Sequence, residues 1–140
     1  MAPITEFKDE WRVLSDFFYC EVELDGVMYP TVEHAFVAAK TLLPEFREAI
    51  RTSGGPGDAK RMGRQLTLRA DWEDVKVDVM RDLLRQKFSD GYPRICLLAT
   101  FDRELIEGNN WNDRFWGVCD GEGKNMLGKL LMEIRAEERA

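Results

Sequence analysis

The chain has 140 residues, 44% of them hydrophobic and 33% charged, a composition that excludes intrinsic disorder and suits one soluble globular domain over residues 1–140. Its formal net charge of −6 argues against a broadly basic nucleic-acid surface, and no apolar run is long enough to span a bilayer. One histidine, His34, and three scattered cysteines, Cys20, Cys96 and Cys119, speak against a disulfide framework, a metal site or thiol-imidazole catalysis. The amino-terminal stretch lacks the pattern of a secretion signal, so a cytoplasmic protein is expected.

In chain order, Cys20, Val22 and Leu24 alternate with acidic residues, a half-buried strand, and Asp25-Gly26 turns it into a second strand that Pro30 is expected to end. Thr31 is placed to cap a helix running to Leu43, with Val32, Ala35, Phe36 and Ala39 on its apolar stripe. Pro44 opens a short helix through Phe46 and Ile50. Ser53-Gly54-Gly55-Pro56-Gly57 is a loop, and a third helix begins near Asp58, carrying Met62 and Leu66. Asp71 caps a long, heavily buried helix with Val75, Val79 and Leu83 on one stripe and Met80, Leu84 and Phe88 on another. Leu97-Leu98 and Leu105-Ile106 are short buried segments, and short strands are expected between Leu105 and Val118. A final helix starts near Asn125. The class is α+β, predominantly α-helical.

The charge is unevenly placed. Ten acidic and four basic residues lie in the first fifty positions, against sixteen of each in the remainder. Residues 51–69 carry Arg51, Lys60, Arg61, Arg64 and Arg69 against Asp58 alone, either a solvated helix face or a place for a small anion.

Three places hold candidate chemistry. Glu33, Val37 and Lys40 share a face beside the buried stripe of their helix; this is a solvated flank or, lining a cleft, a carboxylate and an amine ~10 Å apart along the axis, able to bracket a sugar. Residues 107–117 combine two tryptophans, three asparagines and two carboxylates, as a pocket for a flat, hydrogen-bonding ligand requires, although Trp111 or Trp116 can equally plug the core. Gly121-Glu122-Gly123-Lys124-Asn125 leads into the last helix, with Asn125 as a plain cap or part of an anion site. Trp72 reads as a core anchor or a stacking surface, and His34 as a surface or satisfied core residue.

Taken in order, Leu14-Ser15-Asp16-Phe17, Tyr29-Pro30-Thr31-Val32-Glu33-His34-Ala35-Phe36 with Lys40, Ala59-Lys60-Arg61-Met62-Gly63-Arg64, Trp72-Glu73-Asp74-Val75-Lys76, Lys87-Phe88, Leu105-Ile106-Glu107, Asn112-Asp113-Arg114-Phe115-Trp116-Gly117 and Gly123-Lys124-Asn125-Met126-Leu127-Gly128 resemble the motifs of the NADAR (YbiA-like) family over residues 7–135. One departure is Ser15-Asp16-Phe17, where the family usually carries Ser-Asn-Phe.

The resemblance implies an N-glycosidase acting at ribose C1. Its substrate is expected to be ADP-ribose on guanine, in DNA or as a nucleotide, or a phosphoribosylamino-pyrimidine of riboflavin synthesis. It implies no cofactor and no metal. By motif position Glu33 is the main acid/base, Asp113 a second carboxylate and Lys40 a Schiff-base amine or an electrostatic aid. Trp72 and Trp116 stack on a base or wall the sugar. Asn112 and Glu107 bond hydroxyls, Asn125 and the N–H groups behind it meet phosphate, and Ser15 and Gly117 complete the binding set. The rival reading is a non-catalytic module that binds ADP-ribose or a related nucleotide. DNA contact and oligomeric state are left open by the sequence.

Overall fold

A computed structural model describes residues 1–140, in which about 48% of the chain is helical beside one two-stranded sheet. The expected class, α+β and mostly α, is the observed one. Contacts group into two compact units, Asp16–Lys87 and Met1–Ser15 with Phe88–Ala140.

The first of these units opens with a hairpin. Strand β1 (Tyr19–Leu24) pairs antiparallel with β2 (Val27–Thr31), joining Val22 to Tyr29 and Leu24 to Val27. Asp25 and Gly26 adopt φ of 50° and 84°, the left-handed pair that a two-residue turn between twisted strands needs. Pro30 lies inside β2 and does not end it. It falls opposite the irregularity between Tyr19 and Val22, where the ladder is already broken, so its missing N–H costs no bond.

Helix α1 (Val32–Ala38) is shorter than its apolar pattern suggests. Thr31 caps it as expected, its hydroxyl accepting from His34 N–H at 3.0 Å. The chain then leaves the helix through i→i+3 bonds, Lys40 N–H to Val37 and Thr41 N–H to Ala38. Arg47 Nε, donating to the Thr41 carbonyl at 2.8 Å, holds that exit in place.

Pro44 opens α2 (Pro44–Arg51), and α3 (Pro56–Gly63) ends before Leu66, burying Ala59 and Gly63 instead of Met62 and Leu66. Helix α4 (Trp72–Lys87) buries Trp72, Met80, Leu83, Leu84 and Lys87, while Val75 and Val79 are only half-buried. The side chain of Asp71, which precedes it, is taken by Arg69 in a two-pronged pair at 2.6 and 3.0 Å. Helix α1 lies at the centre of this unit, against both strands and α2, α3 and α4.

The other unit is built on a 3-10 turn (Asp9–Leu14) and two helices, α5 (Gly91–Leu98) and α6 (Met126–Arg139), around Leu97, Leu105, Leu130, Leu131 and Ile134. Helix α5 replaces the short buried segment expected at Leu97-Leu98. No strand forms between Leu105 and Val118. Isolated bridges take their place, Ile4 with Leu105, Gly108 with Val118 and Cys119 with Glu122. No helix is long and apolar enough to cross a membrane.

Candidate active site

In the Asp16–Lys87 unit the candidate residues gather on α1 and its exit. Glu33 stands in the first turn, half-buried, its N–H donating to the Asp16 carbonyl at 3.1 Å. Lys40 lies beyond the helix end, where its carbonyl accepts Arg69 N–H at 2.8 Å. Its ammonium sits 5.8 Å from the centre of the Phe36 ring, and Phe36 packs on Trp72 at 5.0 Å between centroids. Gly63 is what lets α3 approach: a Cβ there would lie 2.9 Å from Val37 Cγ1 and 3.6 Å from Lys40 Nζ.

Burial pulls the Lys40 amine below its ordinary pKa. Glu33 opposes that shift, whereas the nearby charges of Lys60, Lys76 and Arg64 reinforce it. Partial desolvation and neighbouring cations both favour the neutral, nucleophilic form of an amine. Lys60 lies on α3, Arg64 follows one turn later as the residue that caps its end, and Lys76 comes from α4. The charge run at residues 51–69 is therefore only partly a solvated face: Arg51 pairs with Glu48, Arg61 with Asp58 and Arg69 with Asp71, while Lys60 and Arg64 bear on Lys40.

Trp72 takes the core-anchor role. It is buried, with Phe36 tilted against its ring, which leaves little face for stacking on a base. His34 is likewise a core residue, its Nδ1 lying 2.7 Å from Thr31 Oγ1. That oxygen also accepts from His34 N–H, so the hydroxyl ties the ring to the cap it makes. Nε2 is buried without a partner, and burial lowers the pKa.

The folded state therefore resists protonation that the unfolded chain accepts below about pH 6.5. Stability is expected to fall with pH below that point, by at most about 1.4 kcal/mol per pH unit for one proton. Urea midpoints measured from pH 7.5 to 5 in the native chain and in His34→Gln check this, the variant giving the flatter curve.

The remaining candidates lie in the other unit. Asn109 organises the loop: its Oδ1 accepts Asp113 N–H at 3.1 Å and its Nδ2 donates to the Asp113 carbonyl at 2.9 Å. Asp113 Oδ1 closes the next turn, accepting from Phe115 and Trp116 N–H at 3.2 and 2.9 Å. Asn109 was not among the expected site residues, although an Asn beside a Gly and three or four residues before an Asp is a recognisable turn signal. Phe115 and Trp116 meet edge to face at 4.8 Å, and Trp111 is exposed, so it does not plug the core. Asn112 is exposed with φ of 65°, and Ser15 ends the 3-10 turn.

Gly117 is a point of close approach, since a Cβ there would run into the Glu107 carbonyl. Glu107 is half-buried, and its N–H donates to Asn125 Oδ1 at 2.9 Å. Asn125 differs from expectation. It caps nothing with its side chain, whose Nδ2 instead donates to the Leu105 carbonyl at 2.9 Å. The amides expected to meet phosphate are also committed, Met126 N–H to Phe115 and Leu127 N–H to Trp116. Asn125 and the start of α6 are a brace for the 105–117 segment, not an open anion site. No three His, Cys, Asp or Glu side chains come close enough to hold a metal ion.

Two units of this construction, an α1 carrying a carboxylate with a half-buried amine at its exit and a bridged loop ahead of α6, are matched as a whole. Residues 5–139 fit the NADAR domain, and the chain belongs to that family. It is 44% identical over 133 residues to N-glycosidase YbiA of Shigella sonnei, covering 92% of this chain and 82% of the relative, and equally similar to N-glycosidase YbiA of Escherichia coli. A riboflavin biosynthesis protein of Vibrio vulnificus is 38% identical over 128 residues, which is 89% of this chain and 35% of that longer protein. The NMR structure of E. coli YbiA superposes with a TM-score of 0.83 at 42% identity, covering 96% of this chain and 82% of the other.

Proposed function

We propose that the chain is an N-glycosidase that hydrolyses the bond between ribose C1 and a base nitrogen, with Glu33 as acid/base and Lys40 as the amine acting at C1. The observation that carries this reading is the half-buried Lys40 amine, just past the end of the helix that carries Glu33 and among other cations. C1–N cleavage develops positive charge on the sugar and negative charge on the departing nitrogen, so it needs a carboxylate near C1 and a proton for the leaving group. Lys40 adds to C1 of the ring-opened glycosylamine, the base leaves with a proton, and water hydrolyses the resulting imine to return the amine. The motif match extends the proposal to Asp113 as second carboxylate, through the Oδ2 its turn leaves over, and to Ser15, Glu107, Asn112, Trp116 and Gly117 as binding residues.

The substrate class is a ribosyl phosphate: ADP-ribose on guanine, free or in DNA, or a phosphoribosylamino-pyrimidine. Lys60 and Arg64, cations beside the reacting amine, are assigned to its phosphate. A cytoplasmic setting belongs to the same proposal. A panel of ADP-ribosylated DNA, ADP-ribosyl-GMP and a phosphoribosylamino-pyrimidine tests it. Base release from at least one is expected, and steep loss of turnover with salt for the DNA substrate alone would indicate DNA contact. The double variant Lys60→Met/Arg64→Met is expected to raise KM about 10-fold for the preferred substrate, as loss of one or two charge-assisted bonds does. Tight ADP-ribose binding without base release from any substrate would make this a binding module.

A further inference from the structure

Lys87, the last residue of α4, is 1% exposed, and its ammonium lies 5.6 Å from the centre of the Phe18 ring. Its neighbour Gln86 fastens this end of α4 to β1, donating through Nε2 to the Glu23 carbonyl at 2.8 Å and accepting Glu23 N–H at 2.7 Å. Lys87 is therefore held at a fixed place, at a cost: burial pulls its pKa from 10.5 to about 8. The charge of Asp16 works against that shift. Asp16 is linked to both residues: its charge favours the charged form of Lys87, and its carbonyl accepts the N–H of Glu33 at 3.1 Å.

We propose that Lys87 is a positioning residue for the proposed acid/base. Its ammonium anchors the carboxylate of Asp16, and the Asp16 carbonyl fixes the backbone of Glu33 at the start of α1. The carboxylate at position 16, which departs from the family's usual Asn, then acts as the counter-charge of a buried lysine. A methionine would fill the same space without the desolvation penalty, so a lysine with no electrostatic task is a poor choice for this position.

The inference rests on the reading of Glu33 given above, and the tests separate the two. In Lys87→Met, exchange of the Glu33 backbone amide, followed by NMR, is expected to quicken about 10-fold as the anchoring is lost. With the preferred substrate of the panel, kcat is expected to fall about 10- to 100-fold at unchanged KM, as a displaced catalytic group requires. Asp16→Asn gives the same two changes, and Asp16→Asn/Lys87→Met is no worse than either single variant. A folded Lys87→Met with native Glu33 exchange and native kcat overturns the proposal, as do additive effects in the double variant. If Lys87→Met does not fold, the same two measurements on Asp16→Asn decide. Full activity in Glu33→Gln removes the acid/base reading alone, because amide exchange still reports the link from Lys87 through Asp16 to Glu33.

Discussion

Glu33→Gln and Lys40→Ala each lower kcat by about 100- to 10,000-fold on the preferred ribosyl substrate, the range that loss of a positioned proton donor or an activated nucleophile spans. Both side chains are half-buried, so neither change empties the core, and native Tm values are expected alongside the loss. The two roles open to Lys40 give opposite pH behaviour. An amine that forms an imine must be neutral, so kcat rises with pH through its lowered pKa; an ammonium acting by charge loses effect over the same interval. Lys60 lowers that pKa, so Lys60→Met raises it and moves either profile toward higher pH. Borohydride reduction during turnover separates the routes directly: the imine route leaves a ribosyl adduct on Lys40, and Lys40→Ala leaves none. Unchanged turnover in both Glu33→Gln and Lys40→Ala would remove both residues from the reaction.

Local rules made much of this fold readable. The Asp25-Gly26 turn, the Thr31 cap and the Met80-Leu84-Phe88 stripe of α4 depend on residues within a few positions of each other, and all appear, whereas Val75 and Val79 of the second stripe are only half-buried. Helix α5 did not announce itself, because Gly91 and Pro93 fill its first turn and Ile95 faces solvent, so no helical stripe emerges. Helix α1 is shorter than its apolar spacing because of contacts from outside it. Its apolar spacing continues to Leu43, but the exit at Ala38 is held by Arg47 and Arg69, which lie outside the helix.

The candidate site divides along the same line. Glu33 and Lys40 could be singled out from one helix face, whereas the cations that tune Lys40 come from α3 and α4. Lys87 lies beside Gln86 in an ordinary polar stretch, and only the packing of α4 on β1 reveals its burial.

Asn125→Ala is expected to cost about 3 kcal/mol, most of it from two backbone groups, Glu107 N–H and the Leu105 carbonyl, deprived of their partners. The residue is 8% exposed, so water cannot readily replace the lost amide, and its φ of 52° adds a smaller penalty for alanine. Asn125→Gly removes the second cost and keeps the first, so it falls between alanine and the native chain. Asn125→Asp keeps an acceptor for Glu107 N–H but sets a carboxylate oxygen against the Leu105 carbonyl, which ranks it below glycine. Urea unfolding of the three variants gives this order if Asn125 is a brace. The same variants decide between brace and ligand: in Asn125→Gly, assayed where it is fully folded, KM for a phosphorylated substrate stays near native, because the side chain and the first α6 amides are already bonded within the protein. A large rise in KM with little loss of stability would return Asn125 to the phosphate.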